Sequence, residues 1–185
     1  GAGGYFAVSS TDALTKAAVE NNDKIADRVA NDVSGYIQNK RNFLLVTSGD
    51  EEIRSLNAKR LERYLKLVQP YYGGNELLFV ADRSGRQVWR TDGLNLQNVA
   101  ERLYFQEVMA GHVVMSEPVL SKGAGQLGVV GAVPIQGENK DTIGILGVVL
   151  PLQNLQVLLE RVLSENPGYG IVVLNQQKVP LFHPG

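Results

Sequence analysis

The chain has 185 residues, 44 % of them hydrophobic, which is enough for a core, and its 20 glycines and 7 prolines stay below the share that marks low-complexity sequence. Its 18 basic and 19 acidic side chains leave a net charge of -1 with no run of five basic residues, which removes the broad electrostatic case for nucleic acid or an anionic membrane surface. The absence of cysteine excludes disulfides, thiolate nucleophiles and cysteine metal sites.

In chain order, apolar residues first recur at helical spacing: Leu14, Ala17, Ala18, Ile25, Val29, Val33, Tyr36, Ile37, Phe43 and Leu44, with charges between them. With Ser9 as the cap and Asp12 in the first turn, the spacing predicts one helix running to the Thr47-Ser48-Gly49 stop. Such a helix has about 36 residues and a length of about 54 Å, more than a compact domain of this size requires, so its far part is expected to pack on a second subunit. A second helix is expected after Asp50, Glu51 and Glu52, with Ile53, Leu56, Leu61, Tyr64, Leu65 and Val68 as its apolar set and Pro70 as its end.

Near Gly73 the period changes. Only Gly35 and Gly49 fall between Tyr5 and Tyr72, whereas fifteen glycines follow from Gly73 onward. Residues 77–81 and 87–90 read as a hairpin about the turn Asp82-Arg83-Ser84-Gly85, and Asn98 to Ala110 as a short helix stopped by Gly111. Strands are expected at His112 to Leu120, Leu127 to Ile135 and Ile143 to Leu150, then a helix over Leu152 to Leu163. The result is an α+β fold, a long N-terminal helix on one five-stranded antiparallel sheet. A last hairpin, Tyr169 to Leu174 and Val179 to Phe182, reads either as the opening of a second module or as an edge of the first sheet. The boundaries follow: a helical stalk over 1–72, a sheet module over 73–166 and the start of a second module over 167–185. The longest apolar stretch, Ile143 to Leu152, is about half of the roughly 20 residues that cross a bilayer, and an anchor beyond either end stays open.

Few residues offer chemistry. Gly123-Ala124-Gly125-Gln126-Leu127-Gly128 spells a dinucleotide loop, but a strand pattern follows where the phosphate needs a helix N-terminus. His112 and His183 are too few and too far apart for a metal pair, and no serine sits in a G-x-S-x-G elbow, so neither a catalytic nor a metal site is expected and no cofactor is implied. Arg102 is the informative charge. Only six of the 57 residues from Leu103 to Leu159 are charged, so this guanidinium needs an anion: Glu101 or Glu107 in an internal ion pair, or a ligand carboxylate taken bidentately. Tyr104 and Phe105 follow as an aromatic pair suited either to the core or to walling a small pocket.

Arg102-Leu103-Tyr104-Phe105, Gly111, Ser116-Glu117-Pro118, Gly128-Val129-Val130, Pro134-Ile135 and Gly144-Ile145-Leu146-Gly147-Val148 together resemble, in order, the signature of double-Cache (PAS-like) sensor domains. These are the extracytoplasmic ligand-binding regions of methyl-accepting chemotaxis receptors and of some sensor kinases, and the likeness runs over about residues 10–185. The resemblance implies a binding domain rather than an enzyme, periplasmic, in a membrane-anchored receptor, with a homodimer through the first helix. It implies a ligand carboxylate on Arg102, Tyr104 and Phe105. Where amino-acid-binding members place acids against the ligand's ammonium, this chain has Lys122 and Val149, which points to a small carboxylate without an amine, of the pyruvate, lactate, acetate or short dicarboxylate kind. Trp89, Met115 and Leu120, with Tyr71, Tyr72 and Val130, are further lining candidates. A kinase sensor, or a dimerisation module with an empty pocket, are the alternatives.

Overall fold

The computed structural model describes residues 4–9, 16–19, 23–72, 74, 76–120, 127–151, 153–154, 157, 169–174 and 180–182. Strands β1 (Gly4–Ser9) and β2 (Lys16–Val19) precede helix α1 (Asp23–Ser48), which is 26 residues long, or about 39 Å. The single helix expected from Ser9 is therefore shorter: Ser9 ends a strand and caps nothing. The physical reason is tertiary. β1 pairs in parallel with β8 (Tyr169–Leu174), from Gly4 against Tyr169 to Val8 against Val173, and antiparallel with β2, so long-range pairing overrides the helical spacing of alanines.

The second expected helix is two. α2 (Glu51–Arg54) is capped by the Asp50 carboxylate, which accepts from the Glu52 N–H, and α3 (Ala58–Val68) by Asn57, whose side-chain oxygen accepts from Lys59 and Arg60. Between them Leu56 sits at φ +49, a left-handed conformation that no continuous helix holds. A 3-10 turn, Gln69–Tyr72, closes α3 around Pro70.

Strands β3 (Leu77–Asp82), β4 (Gln87–Arg90), β5 (Val114–Leu120), β6 (Leu127–Gln136) and β7 (Thr142–Pro151) form one antiparallel sheet in the order β4-β3-β7-β6-β5. The expected turn is present: the Asp82 carboxylate accepts from Ser84 and Arg86 N–H, and Gly85 takes φ +81. The expected helix over Asn98 to Ala110 contracts to α4 (Leu103–Met109), with irregular chain before it. The 152–163 helix falls mostly outside the described residues; positions 153, 154 and 157 are helical. β9 (Pro180–Phe182) pairs with β8, and both join β1 and β2 in a separate four-stranded sheet, so the terminal hairpin is not an edge of the five-stranded one. Residues 1–72 are correspondingly not all helical.

The period-2 pleat gives the five-stranded sheet two apolar faces. On one, Leu78, Val80, Trp89, Met115, Val129, Val133, Leu146, Val148 and Leu150 pack with Val33, Ile37, Phe43 and Leu44 of α1 and with Leu61 and Leu65 of α3. On the other, Phe79, Ala81, Val114, Val130, Ala132 and Ile145 pack with Val99 and with Tyr104, Phe105 and Val108 of α4.

Candidate functional site

The α4 face is where the sequence-derived residues gather. Arg102 is the N-cap of α4 at φ -76, ψ 136, and its side chain makes no cap hydrogen bond. It is half-buried and, among the described residues, forms no ion pair with Glu101 or Glu107, so the internal pair does not form. Tyr104 and Phe105, which follow it in α4, are both buried against the sheet. The Tyr104 ring meets Phe79 edge-on, with centroids 6.2 Å apart at 65°. Phe79 in turn lies across Gly147, its partner in β7; a Cβ at Gly147 would run into the Phe79 ring at Cζ and Cε1. A glycine at the sheet's centre thus makes room for one ring, and that ring supports the aromatic of α4.

Val149 is half-buried on this same face, opposite Val130 of β6. Leu120 ends β5 opposite Leu127, and Lys122 lies outside the described residues. Two expected lining residues are elsewhere. Trp89 and Met115 are buried on the α1 face, Met115 so close to Gly131 that a Cβ there would lie 2.7 Å from its methyl carbon. The reason is the pleat: their neighbours Arg90 and Val114 take the α4 side. Tyr71 and Tyr72 stand at the surface beside α1, Tyr71 82 % exposed and Tyr72 with its ring 4.0 Å from that of Phe43.

The structure adds residues that sequence reasoning passed over. At the edge of the α4 face the β3–β4 ladder slips, so that Val80 faces Trp89 but Ala81 faces Gln87. The slip brings both Gln87 and Arg90 to the side of Ala81 and Phe79. Both are buried, and the Arg90 side chain, only 2 % exposed, forks onto Asp92 with Nε–Oδ1 2.9 Å and Nη2–Oδ2 2.5 Å. The hydrogen bond from Arg90 is the first cause holding the Asp92 carboxyl below its ordinary range.

On the opposite face, Lys40 of α1 and Glu76, just before β3, form a buried ion pair at 2.7 Å. The Lys40 ammonium also donates to the Tyr72 carbonyl at 2.9 Å, and the Tyr36 hydroxyl donates to Glu76 at 3.2 Å. Burial first, then the Glu76 charge, pushes the Tyr36 phenol well above its ordinary value. Tyr36 and Glu76 border an open groove of about 820 Å³ with Lys66, Gln69, Gly74 and Asn154, but its one buried carboxylate is already neutralised by Lys40. The signal was legible: Val33, Ile37, Lys40 and Leu44 share one buried helical stripe, and a lysine there requires an acid. Among the described residues no group of His, Asp and Glu is arranged to hold a metal, and no helix is long and apolar enough to cross a membrane.

No family profile and no curated protein sequence matches the chain. Solved structures match its fold. The ligand-binding domain of the Pseudomonas fluorescens chemoreceptor CtaA, in complex with L-serine, superposes with a TM-score of 0.69 at 15 % identity, over 88 % of this chain and 70 % of that one. The sensor domain of the V. cholerae histidine kinase DctB gives 0.62 at 20 % identity, over 74 % and 57 %. The sensory domain of the Campylobacter jejuni chemoreceptor Tlp3 with isoleucine bound gives 0.60 at 14 %, over 75 % and 61 %. The chain thus has the fold of Cache-type sensor domains and matches somewhat over half the length of the DctB and Tlp3 domains.

Proposed function

We propose that the chain is the ligand-sensing part of a bacterial chemotaxis receptor, periplasmic in a membrane-anchored protein, and that it binds a small carboxylate lacking an amine on the α4 face. The observation that carries this reading is Arg102: a half-buried arginine at the start of α4, just ahead of the buried Tyr104 and Phe105, with no acid of the described chain against it. A carboxylate supplies the missing charge through two parallel hydrogen bonds. Tyr104 and Phe105 close the pocket floor, and Lys122 adds a second donor for an oxyanion. Val149, where an ammonium would need an acid, offers only methyl groups, which disfavours amino acids. Binding favours one arrangement of the sheet against α1, and α1 carries the displacement onward.

α1 also supplies the surface for a homodimer. Its outer stripe, Gly35, Gln38, Asn39, Asn42 and Val46, bears no charge, and Asn39, Asn42 and Val46 border a hollow of about 420 Å³ with Tyr71 and Tyr72. The similarity to a kinase sensor domain keeps a histidine-kinase output as a second reading.

Thermal shift against pyruvate, L-lactate, acetate, succinate and the corresponding amino acids tests the site. A ligand at 100 times its Kd adds about 2.7 kcal/mol, about 5 to 10 °C for a chain of this size. The reading predicts a shift with an amine-free acid that disappears in Arg102→Ala. A shift that survives Arg102→Ala removes the site, and a preference for amino acids over their deaminated analogues removes the ligand class.

A further inference from the structure

Arg102 is delivered by a stretch, residues 91–102, that contains neither helix nor ladder strand, so its position depends on what ties that stretch to the sheet. The ties converge on the start of β4. The backbone N–H of Gln87 donates to the Gln97 carbonyl at 2.9 Å, and the side-chain oxygen of Gln87 accepts from the Gln97 N–H at 2.9 Å. The same side-chain oxygen faces Arg90 Nη1 at 3.4 Å, and Arg90 is held by Asp92, whose carboxylate accepts from the Leu94 N–H at 3.2 Å. One turn along, Val99 N–H donates to the Gly85 carbonyl at 2.8 Å, and Arg102 N–H to the Val99 carbonyl at 2.9 Å. The Gln87–Gln97 bonds and the Gly85–Val99–Arg102 bonds lie on either side of the Arg86–Asn98 bridge, and the short backbone between them links the two sets.

Resting on the reading of Arg102 as the carboxylate anchor, we propose that Gln87 is a positioning residue for ligand binding: its buried side chain stands in for a strand neighbour and fixes the 91–102 stretch, so that Arg102 meets the ligand already in place. The bulge at Val88 is what makes this available, since it brings Gln87 to the face that Arg90 occupies. A buried amide in this place is costly unless both its partners are kept, and the Gln97 N–H and Arg90 guanidinium are those partners. Fixing the anchor before binding removes an ordering cost that would otherwise be subtracted from affinity.

Gln87→Met keeps the length and apolar volume of the side chain and removes the acceptor; Gln87→Glu keeps the acceptor. Hydrogen exchange on the ligand-free chain is expected to quicken about tenfold for amides of 94–102 in Gln87→Met, to stay unchanged in β6 and β7, and to return to the native rate in Gln87→Glu. The Kd of whichever of pyruvate, L-lactate, acetate or succinate shifts the native protein is expected to rise about tenfold in Gln87→Met and to recover in Gln87→Glu. Unchanged exchange at 94–102, or faster exchange with unchanged affinity, overturns the proposal. Should Gln87→Met not fold, Gly85→Ala presses on the same stretch from below, since a Cβ there would lie 2.6 Å from the Ala100 nitrogen, and the same two readouts apply. If none of the four acids binds the native protein, the carboxylate reading fails by itself, and the exchange measurement still decides whether Gln87 holds the stretch.

Discussion

Removing one half of the Lys40–Glu76 pair is expected to cost far more than removing both. The ions are 2.7 Å apart with side chains 8 % and 7 % exposed, so at an effective dielectric of about 20 their attraction is about 6 kcal/mol. Desolvating each ion costs several kcal/mol, which leaves the intact pair near break-even. A single deletion leaves a buried charge without its counter-ion, a loss of about 3 to 5 kcal/mol. The two singles are not equivalent. In Lys40→Met the Glu76 carboxylate keeps the Tyr36 hydroxyl, which places this variant at the lower end; Glu76→Leu leaves Lys40 the Tyr72 carbonyl and the face of the Tyr36 ring, with no counter-ion, and removes Tyr36's acceptor, which places it at the upper end. The double variant Lys40→Met/Glu76→Leu should lie within about 1 kcal/mol of the native chain. Urea unfolding followed by far-ultraviolet circular dichroism, arranged as a double-mutant cycle, measures the coupling directly. If the double variant loses the sum of the two singles, the groups act independently and the argument is wrong.

Gly147→Ala must displace the Phe79 ring that supports Tyr104, and a loss of about 1 to 3 kcal/mol is expected, with an altered near-ultraviolet aromatic signal. Gly131→Ala meets chiefly the flexible end of Met115, with Val148 Cγ1 next at 3.3 Å, and should cost less, a contrast that thermal unfolding of the pair reads. Asp92 has its folded pKa held below the ordinary 3.8 by Arg90, so the stability it contributes is present above that value and lost as pH falls through the depressed one. Unfolding measured between pH 5 and pH 2 should show a shallower acid slope in Asp92→Asn, and an unchanged slope refutes the assignment.

The five-stranded sheet was legible because each of its strands pairs with a neighbour in sequence, apart from the β3–β7 crossing, and because turn residues such as Asp82 and Gly85 mark the hairpin by their own chemistry. Residues 16–19 were misread for the opposite reason. Ala17 and Ala18 fit a helical spacing, and only pairing with β1, itself held against Tyr169 to Val173, makes them a strand. The site was half legible. Tyr104 and Phe105 are buried against the sheet, one of the two places their pattern allowed, but a regular β4 would put Gln87 beside Trp89 on one face and Val88 beside Arg90 on the other. The slip at Val88 is a backbone event that the alternation of residue types does not register. Trp89 and Met115 went astray by the same one-residue parity that governs every strand.

The parallel pairing of β1 with β8 has a consequence for the order in which the molecule assembles. It joins Gly4 to Tyr169 across nearly the whole chain, and closing a loop of about 165 residues in an unstructured polymer costs roughly 4.5 kcal/mol before any contact is made. Collapse of the sheet built from β3 to β7 draws those ends toward each other beforehand and removes most of that cost. The four-stranded sheet is therefore expected to form late, on a five-stranded sheet that already exists, and mutations in β1 or β8 should speed unfolding while leaving the folding rate almost untouched.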